Sequence, residues 1–138
     1  DVVVMAAAVA DYRIADVADR KLTKEDAGVD RRTLELVENP DILAGLVAAR
    51  RPGQTIAGFA AETPGEGETL IERGRGKRAR KGVDLLAVNE VGWGVGFESS
   101  DNALTFIDAG DRVTAEARGT KREVAEALWD VILGIRGA

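Results

Sequence analysis

The sequence contains no cysteine and no histidine. Without cysteine, the chain can form no disulfide framework, no thiolate zinc site and no cysteine nucleophile. Without histidine, it cannot carry a Ser-His-Asp triad, and it lacks the commonest metal ligand. Any catalysis must therefore use Lys, Arg, Asp, Glu, Asn, Tyr, Ser or Thr side chains, backbone groups or a bound cation.

Long apolar runs and an excess of positive charge are also absent. No run approaches the roughly 20 apolar residues of a membrane span, and no signal peptide is visible. The formal net charge of −5 argues against a general nucleic-acid binder. With 138 residues, 45% of them hydrophobic and 31% charged, we expect one soluble globular domain. We therefore expect a cytoplasmic location, with neither a membrane nor a nucleic acid as partner.

Three apolar segments predict buried strands. The first is the continuous run from Asp1 to Val9, which is typical of a strand covered on both faces, and the others are residues 55–61 and 84–88. Because helical patterns alternate with them, they predict an α/β fold, with a mostly parallel sheet flanked by helices. Three central strands usually need neighbours. We therefore expect amino-terminal strands to be missing, and interpret residues 1–138 as the carboxyl-terminal part of one larger domain.

Three helices are expected. Asn39-Pro40-Asp41 predicts a helix start, with Asn39 as N-cap and Pro40 at the first helical position. A second helix is expected over residues 66–81, although Gly74 and Gly76 weaken it by about 1 kcal/mol each. Thr120 and Glu123 predict a capping box before the last helix. The buried stripes expected on the first and last helices are Ile42, Leu43, Leu46 and Val47, and Val124, Leu128, Val131, Ile132 and Ile135.

The remaining segments predict smaller elements. Residues 103–107 and 113–117 flank the turn Asp108-Ala-Gly-Asp and predict a small antiparallel hairpin. Residues 33–37 alternate polar and apolar side chains and suggest a strand. Residues 14–31 are charged and have few large apolar side chains, which indicates a loop or flap.

Several residues are candidates for binding a ligand. Asp11, Tyr12 and Arg13 follow the first strand, where ligands bind in open α/β sheets, unless they simply form an ordinary polar loop after a core strand. Lys77 and Lys81 are four residues apart, so they share a helical face and repel each other unless an anion, such as a triphosphate, or an acid lies between them. Together with Arg78 and Arg80 they form a basic cluster at the end of the second helix. The competing interpretation is that this cluster is a solvated helix end that favours the helix dipole.

Two further candidates have equally plain alternatives. The helix start at Asn39-Pro40-Asp41-Ile42 offers free backbone N–H groups to an anion, or is simply a capped structural helix. Phe59 is a flat wall for a nucleotide base, or a core residue. The glycine patterns at 65/67, 74/76 and 92/94/96 are not dinucleotide fingerprints, because none lies in a strand-to-helix turn with the required spacing.

Taken together, six motifs resemble one family. They occur in the order MAAAVADYR at 5–13, Lys21-Leu-Thr-Lys24, NPDI at 39–42, GFAAET at 58–63, KRARKGVDLLAVNEV at 77–91 and F-x-S-x-D-N-A-L at 97–104. The chain is similar in this respect to the bacterial phosphopantothenoylcysteine synthetases, the ligase half of a bifunctional enzyme of coenzyme A biosynthesis. The resemblance covers nearly the whole chain, from Val2 to about Leu133.

The resemblance implies a fold and an activity. The family has a Rossmann-like sheet and works as a homodimer. Its bacterial members use CTP and Mg²⁺ to activate the carboxylate of 4′-phosphopantothenate as an acyl-cytidylate, with release of pyrophosphate, and the amine of cysteine then forms the amide. The family also implies a glycine-rich nucleotide loop in the absent amino-terminal half, and a flavin-dependent decarboxylase domain fused upstream as a candidate partner.

The resemblance also implies site residues. Lys21 is the expected catalytic residue, because cations stabilise the charge that develops on the departing pyrophosphate. The metal ligands are not implied. Thr23 stands where the family often has a further lysine. The nucleotide-binding positions implied by the motifs are Met5, Ala6, Ala7, Asp11, Lys21, Pro40, Asp41, Ile42, Leu43, Phe59, Lys77 and Lys81.

Two other classes of function remain open from the residues. One is a non-catalytic nucleotide-binding or dimerisation module. The other is a Rossmann-type oxidoreductase, which the missing glycine fingerprint disfavours, although an upstream segment could supply one.

Overall fold

The structure is a computed structural model that describes residues 1–23, 33–91 and 101–137. The chain divides into two units, one formed by Asp1–Ala6 with Leu43–Ala138 and the other by Ala7–Ile42. In chain order the elements are β1 (Val2–Met5), β2 (Tyr12–Ile14), β3 (Leu36–Glu38), α1 (Ile42–Ala48), β4 (Thr55–Glu62), α2 (Leu70–Lys81), β5 (Leu85–Glu90), β6 (Asp101–Asp108), β7 (Val113–Thr120) and α3 (Lys121–Gly137).

The first unit is built on a five-stranded sheet in the order β1-β4-β5-β6-β7. The strands β1, β4 and β5 are parallel, as predicted, while β6 and β7 run antiparallel. The hairpin of β6 and β7 is therefore confirmed. It is not a separate element, because β6 pairs with β5 and extends the same sheet.

Both faces of this sheet are covered by helices. On one face Val124, Leu128 and Ile132 of α3 pack on the sheet around Phe106, which is fully buried. On the other face Leu43 of α1 belongs to a second core cluster, and side chains of α1 and α2 pack against it. The predicted stripe of α3 is confirmed, because a helical period of 3.6 residues brings these side chains to one side.

Capping boxes start α2 and α3. The Thr120 hydroxyl accepts from Glu123 N at 3.3 Å, and Thr120 N donates to the Glu123 carboxylate at 2.8 Å, as predicted. The second helix begins at Leu70 rather than at residue 66, because Thr69 is its N-cap and pairs with Glu72 in the same way. The sequence interpretation missed this second Thr-x-x-Glu pattern.

The first strand is shorter and less buried than predicted. It ends at Met5, its four residues are half-buried, and Ala6 to Ala10 are exposed. The expectation that this strand extends to residue 9 is therefore wrong. Its packing on both faces is confirmed for β1, because Val2 and Val4 pack against the core cluster on the α3 face, and Val3 and Met5 pack against the cluster on the other face. Within the described residues β1 pairs only with β4, so it is an edge strand of the sheet.

The first helix also departs from its prediction. It begins at Ile42, so Pro40 does not occupy its first turn, and Asn39 does not cap it. Instead the Asn39 side chain donates to Ala10 O at 2.8 Å. Of the predicted stripe, Leu43 is buried, but Ile42 is 48% exposed and does not belong to the core.

The second unit contains a two-stranded antiparallel sheet in which Tyr12 pairs with Glu38 and Ile14 with Leu36. The strand expected over residues 33–37 is present as β3, shifted toward Glu38. The sequence interpretation missed β2, which is only three residues long. Residues 15–23 of the expected flap have no regular structure, and residues 24–31 lie outside the described residues.

Within the described part of the chain, no helix combines the length and the apolarity that a bilayer crossing demands.

Candidate functional site

The carboxyl end of β4 carries a buried acid that holds two cations of α2. Glu62, the last residue of β4, is only 7% exposed. Its Oε1 accepts from Lys77 Nζ at 2.5 Å and its Oε2 accepts from Arg73 Nε at 2.6 Å. Because Arg73 and Lys77 are four residues apart, both side chains leave the same face of α2. This is the edge of the parallel strands at which open α/β sheets bind ligands.

The environment of Glu62 keeps it ionised. Burial alone would raise the pKa of this carboxyl, but hydrogen bonds and charge from Lys77 and Arg73 outweigh burial, so its pKa lies below the usual value. The predicted repulsion between Lys77 and Lys81 is thus reduced, because the carboxylate of Glu62 compensates the positive charge of Lys77. Lys81, the last residue of α2, is half-buried.

Part of the basic cluster at the end of α2 has a structural role. Arg78 Nε donates to Asp111 Oδ1 at 2.7 Å, and its side chain is only 12% exposed. Arg75 Nε donates to the backbone oxygen of Asp111 at 2.8 Å. These bonds attach α2 to the turn between β6 and β7. The interpretation of the whole cluster as a solvated helix end is therefore wrong for Arg78.

Met5 and Phe59 lie on opposite faces of the sheet. Met5, at the end of β1, packs against the core cluster shared with α1 and α2. Phe59, three residues before the end of β4, is half-buried and packs against the cluster shared with α3. Alternation of side chains along a strand places Phe59 and Glu62 on different faces. A ligand that uses both Phe59 and Lys77 would have to cross the edge of the sheet.

Leu43 contributes its side chain to the core. It is 8% exposed and packs beside Gly58. A Cβ on Gly58 would lie 2.7 Å from Leu43 Cδ2, so the absence of a side chain at position 58 leaves room for the Leu43 side chain between α1 and β4. Because its side chain is buried in the core, Leu43 can contact a ligand only through its backbone.

In the second unit, Asn39 joins the ADYR and NPDI motifs. Its backbone N–H donates to Asp11 O and its side-chain amide donates to Ala10 O, each at 2.8 Å. Arg13 Nη1 donates to Asn39 Oδ1 at 3.1 Å and to Glu38 O at 2.9 Å. Two motifs that begin 29 residues apart in sequence thus become neighbours.

The predicted site residues divide between the two units. Within the second unit, Lys21 is exposed, as are Ala7 and Asp11. Lys24 and residues 97–100 of the last motif lie outside the described residues. The first unit carries Met5, Ala6, Leu43, Phe59, Lys77 and Lys81, and the second carries Ala7, Asp11, Lys21, Pro40, Asp41 and Ile42.

The sequence interpretation did not single out Glu62 or Asn39 as partners of site residues. For Glu62 a signal existed, because an acid directly after the apolar run TIAGFAA must find a cation when the strand end is buried. For Asn39 the local sequence favoured an N-cap. Only the pairing of β2 with β3 reveals its hydrogen bonds to Ala10 and Arg13. Across residues 1–23, 33–91 and 101–137, no three acidic side chains are grouped so that they could hold a metal ion.

Comparisons with known proteins agree with the motifs. Residues 1–135 match the family described as the DNA/pantothenate metabolism flavoprotein C-terminal domain. The chain belongs to this family. Its relatives include the coenzyme A biosynthesis bifunctional protein CoaBC of Mycobacterium tuberculosis, 43% identical over 96% of this chain and 32% of the relative. The CoaBC protein of Escherichia coli is 41% identical over 92% of this chain and 30% of the relative. The chain thus spans about a third of the length of these relatives.

Solved structures share the fold of this flavoprotein C-terminal domain. The DNA/pantothenate metabolism flavoprotein of Streptococcus pneumoniae aligns with a TM-score of 0.61 at 21% identity, covering 93% of this chain and 57% of that protein. A Cab2 H337A mutant in complex with phosphopantothenate-cysteine aligns with a TM-score of 0.67 at 20% identity, covering 96% and 42%. At these identities the likeness establishes the α/β fold.

Proposed function

We propose that this chain forms the carboxyl-terminal part of a CTP-dependent phosphopantothenate–cysteine ligase of coenzyme A biosynthesis. Membership of the flavoprotein C-terminal domain family and the CoaBC relatives support this class of reaction. The observation that carries the proposal is the pairing of Lys77 with buried Glu62 at the carboxyl edge of the parallel strands. A cation at this edge supports the proposal, because open α/β sheets bind ligands outside the carboxyl ends of their strands.

The proposed reaction has two steps. A carboxylate oxygen of 4′-phosphopantothenate attacks the α-phosphorus of CTP, and the bond to the β-phosphate breaks, so that pyrophosphate leaves and an acyl-cytidylate remains. The amine of cysteine then attacks the acyl carbon, CMP leaves with the electron pair of the broken C–O bond, and the amine loses a proton. Neither step needs a histidine or a cysteine of the enzyme, because the substrate supplies the nucleophilic amine.

The chain's own residues would act mainly through charge. Pyrophosphate departure builds negative charge on phosphate oxygens, and preorganised cations lower the barrier by stabilising it. We assign this role to Lys21 as the catalytic residue and to Lys77 and Lys81 as phosphate ligands. Asp11 and the segment Pro40 to Leu43 would contact the nucleoside, together with Met5, Ala6, Ala7 and Phe59.

Magnesium is proposed as an ion that arrives with the nucleotide. Mg²⁺ commonly keeps several waters and binds substrate phosphates with only one or two protein carboxylates. The donor set of the described residues fits such binding, since isolated carboxylates such as Asp11 are exposed. The ion would neutralise phosphate charge.

The full assembly is likewise a proposal. An upstream flavin-dependent decarboxylase domain is proposed because the CoaBC relatives are bifunctional and about three times the length of this chain. A homodimer is proposed from the family resemblance of the motifs alone. The sedimentation of the intact protein would measure its oligomeric state.

Calorimetric titration of the intact protein with CTP, ATP and NADH tests the proposal. We expect CTP to bind with preference over ATP, and NADH not to bind. Equal affinities for CTP and ATP would reject the cytidine assignment, whereas NADH binding alone would favour the oxidoreductase alternative. CTP binding without formation of phosphopantothenoylcysteine would favour a non-catalytic nucleotide-binding module.

A further inference from the structure

Glu62 has a position that the proposed reaction does not by itself require. Its carboxylate is 7% exposed and lies at the end of β4, and each of its oxygens accepts a hydrogen bond from a different cation of α2. A buried carboxylate without partners is strongly disfavoured, so this geometry is maintained by the fold. The Glu62 carboxylate therefore has a constrained position, and it holds the flexible side chains of Arg73 and Lys77 by hydrogen bonds.

The hydrogen bond to Glu62 restricts the conformational freedom of the Lys77 side chain. A lysine has a flexible four-carbon stem and three ammonium donors. One donor reaches Glu62 Oε1 at 2.5 Å, and the side chain is 28% exposed, so the ammonium has access to solvent. A lysine already held in one place loses less conformational freedom when it binds a phosphate.

Arg73 holds the carboxylate from the other side. It donates from Nε to Glu62 Oε2 at 2.6 Å, and from Nη1 to Glu68 Oε2 at 3.0 Å. Two acids near Arg73 can therefore be compared, one that contacts Lys77 and one that does not. Glu62 contacts both Arg73 and Lys77, whereas Glu68 contacts Arg73.

We propose that Glu62 is a positioning residue for the nucleotide, which holds the Lys77 ammonium at the carboxyl edge of the sheet before the triphosphate arrives. This inference rests on the proposed function, in which Lys77 contacts the triphosphate. Glu62 itself touches no substrate and acts through Lys77.

Simple electrostatics predicts the opposite effect. A negative charge close to a triphosphate repels it, so removal of the Glu62 charge would strengthen CTP binding if the carboxylate had no positioning role. The two interpretations of Glu62 therefore differ in the sign of one measured quantity.

Calorimetric titration of the intact protein with CTP measures this sign. We expect Glu62→Gln to raise the dissociation constant for CTP roughly 3- to 10-fold, because Lys77 must then be ordered by the ligand. The matched control Glu68→Gln keeps the Lys77–Glu62 pair, and we expect wild-type affinity from it. Unchanged or tighter CTP binding by Glu62→Gln would overturn the proposal.

A double-mutant cycle separates positioning from a general loss of structure. We expect Lys77→Met to weaken CTP binding, and Glu62→Gln in that background to weaken it no further, because the positioned group is already gone. A further loss of the same size as in the wild-type background would overturn the positioning role. Should Lys77→Met bind CTP normally, the proposed contact of Lys77 with the triphosphate fails, and this inference fails with it.

A second variant covers the case in which Glu62→Gln does not fold. Glu62→Asp keeps the negative charge and withdraws the carboxylate by one methylene, which lengthens the contact with Lys77. We expect weaker CTP binding than in the wild type, since only the position of the charge has changed. Wild-type affinity of a folded Glu62→Asp variant would show that the position of the carboxylate does not matter.

Discussion

At the residue scale, identical glycines on one helix have different uses. A Cβ on Gly74 of α2 would lie 2.7 Å from Ile107 Cδ1 and 2.9 Å from Val88 Cγ2, whereas nothing lies within 4 Å of a Cβ on Gly76. The sequence predicts the same small penalty at both positions. The structure shows that Gly74 allows α2 to approach the sheet, while Gly76 lies on the open side.

Alanine substitutions should therefore have opposite effects at these two positions. Gly76→Ala should stabilise the protein by up to about 1 kcal/mol, the ordinary gain in helix propensity. Gly74→Ala should destabilise it, because overpacking costs roughly 1–3 kcal/mol and exceeds that gain. The midpoints of urea unfolding measure both effects. Equal stabilisation by the two variants would show that α2 does not pack closely on Val88 and Ile107.

Lys21 provides a test of catalysis at the same scale. Its side chain is exposed in a segment without regular structure, so Lys21→Ala should change the free energy of unfolding by no more than about 0.5 kcal/mol. Under the proposed function, Lys21 lies at the reacting phosphates, so its loss in the intact protein should raise the barrier of the reaction by about 3 kcal/mol. Steady-state kinetics with CTP measure this loss, and Lys121→Ala, an exposed lysine of α3, is the control. Turnover like that of the wild type would remove Lys21 from the site.

At the element scale, Asp108 organises the hairpin turn. It is 6% exposed, and its carboxylate accepts from Gly110 N at 2.8 Å, Arg112 N at 3.0 Å and Arg112 Nη2 at 2.8 Å. Burial alone would raise the pKa of Asp108, but these hydrogen bonds outweigh it and the pKa is lowered. The carboxylate thus stabilises a turn in which Asp111 has a φ of 61°.

The effect of Asp108→Asn should depend on pH. A lowered pKa in the folded state means that the stabilisation is complete above the unfolded-state pKa, about 3.9, and is lost as the pH falls through the folded-state pKa. At pH 7 we expect a loss of about 1–3 kcal/mol, because hydrogen bonds to a charged group are removed. The difference between variant and wild type should stay constant down to about pH 5 and narrow below about pH 4.

Urea unfolding across this pH range measures the dependence. Asp130→Asn, an exposed carboxylate on α3, should show no comparable difference at any pH. A difference for Asp108→Asn that widens toward low pH would contradict the assigned role of the carboxylate.

At the scale of the whole first unit, α3 completes the core on one face of the sheet. Ile132 is fully buried there, whereas its neighbour Leu133 is 64% exposed. We expect Ile132→Ala to cost about 2–5 kcal/mol through the lost transfer energy and the cavity left behind. Leu133→Ala should change stability by less than about 0.5 kcal/mol. Similar unfolding midpoints for the two variants would mean that α3 does not cover the sheet as described.

Much of the fold was predictable because its signals are local. The apolar runs at β4 and β5 identify buried strands, the pattern from Val124 to Ile132 identifies one face of α3, and Thr120 with Glu123 identifies its start. Hydrophobic periodicity and capping chemistry operate within a few residues, so the sequence contains them directly. The ordered motifs identified the family for the same reason.

The tertiary structure decided what depends on partners distant in sequence. Asn39 looks like an N-cap, but the pairing of β2 with β3 brings it to Ala10 and Arg13, and that contact replaces the local one. In the sequence, Glu62 is only one residue of the GFAAET motif. Its partners Arg73 and Lys77 are identified only by the packing of α2 on the sheet. The sequence by itself determined the class of fold, the family and the candidate cations. Only the packing of helices on the sheet decided which acid holds Lys77, because a buried charge takes its partner from whatever the fold brings within reach.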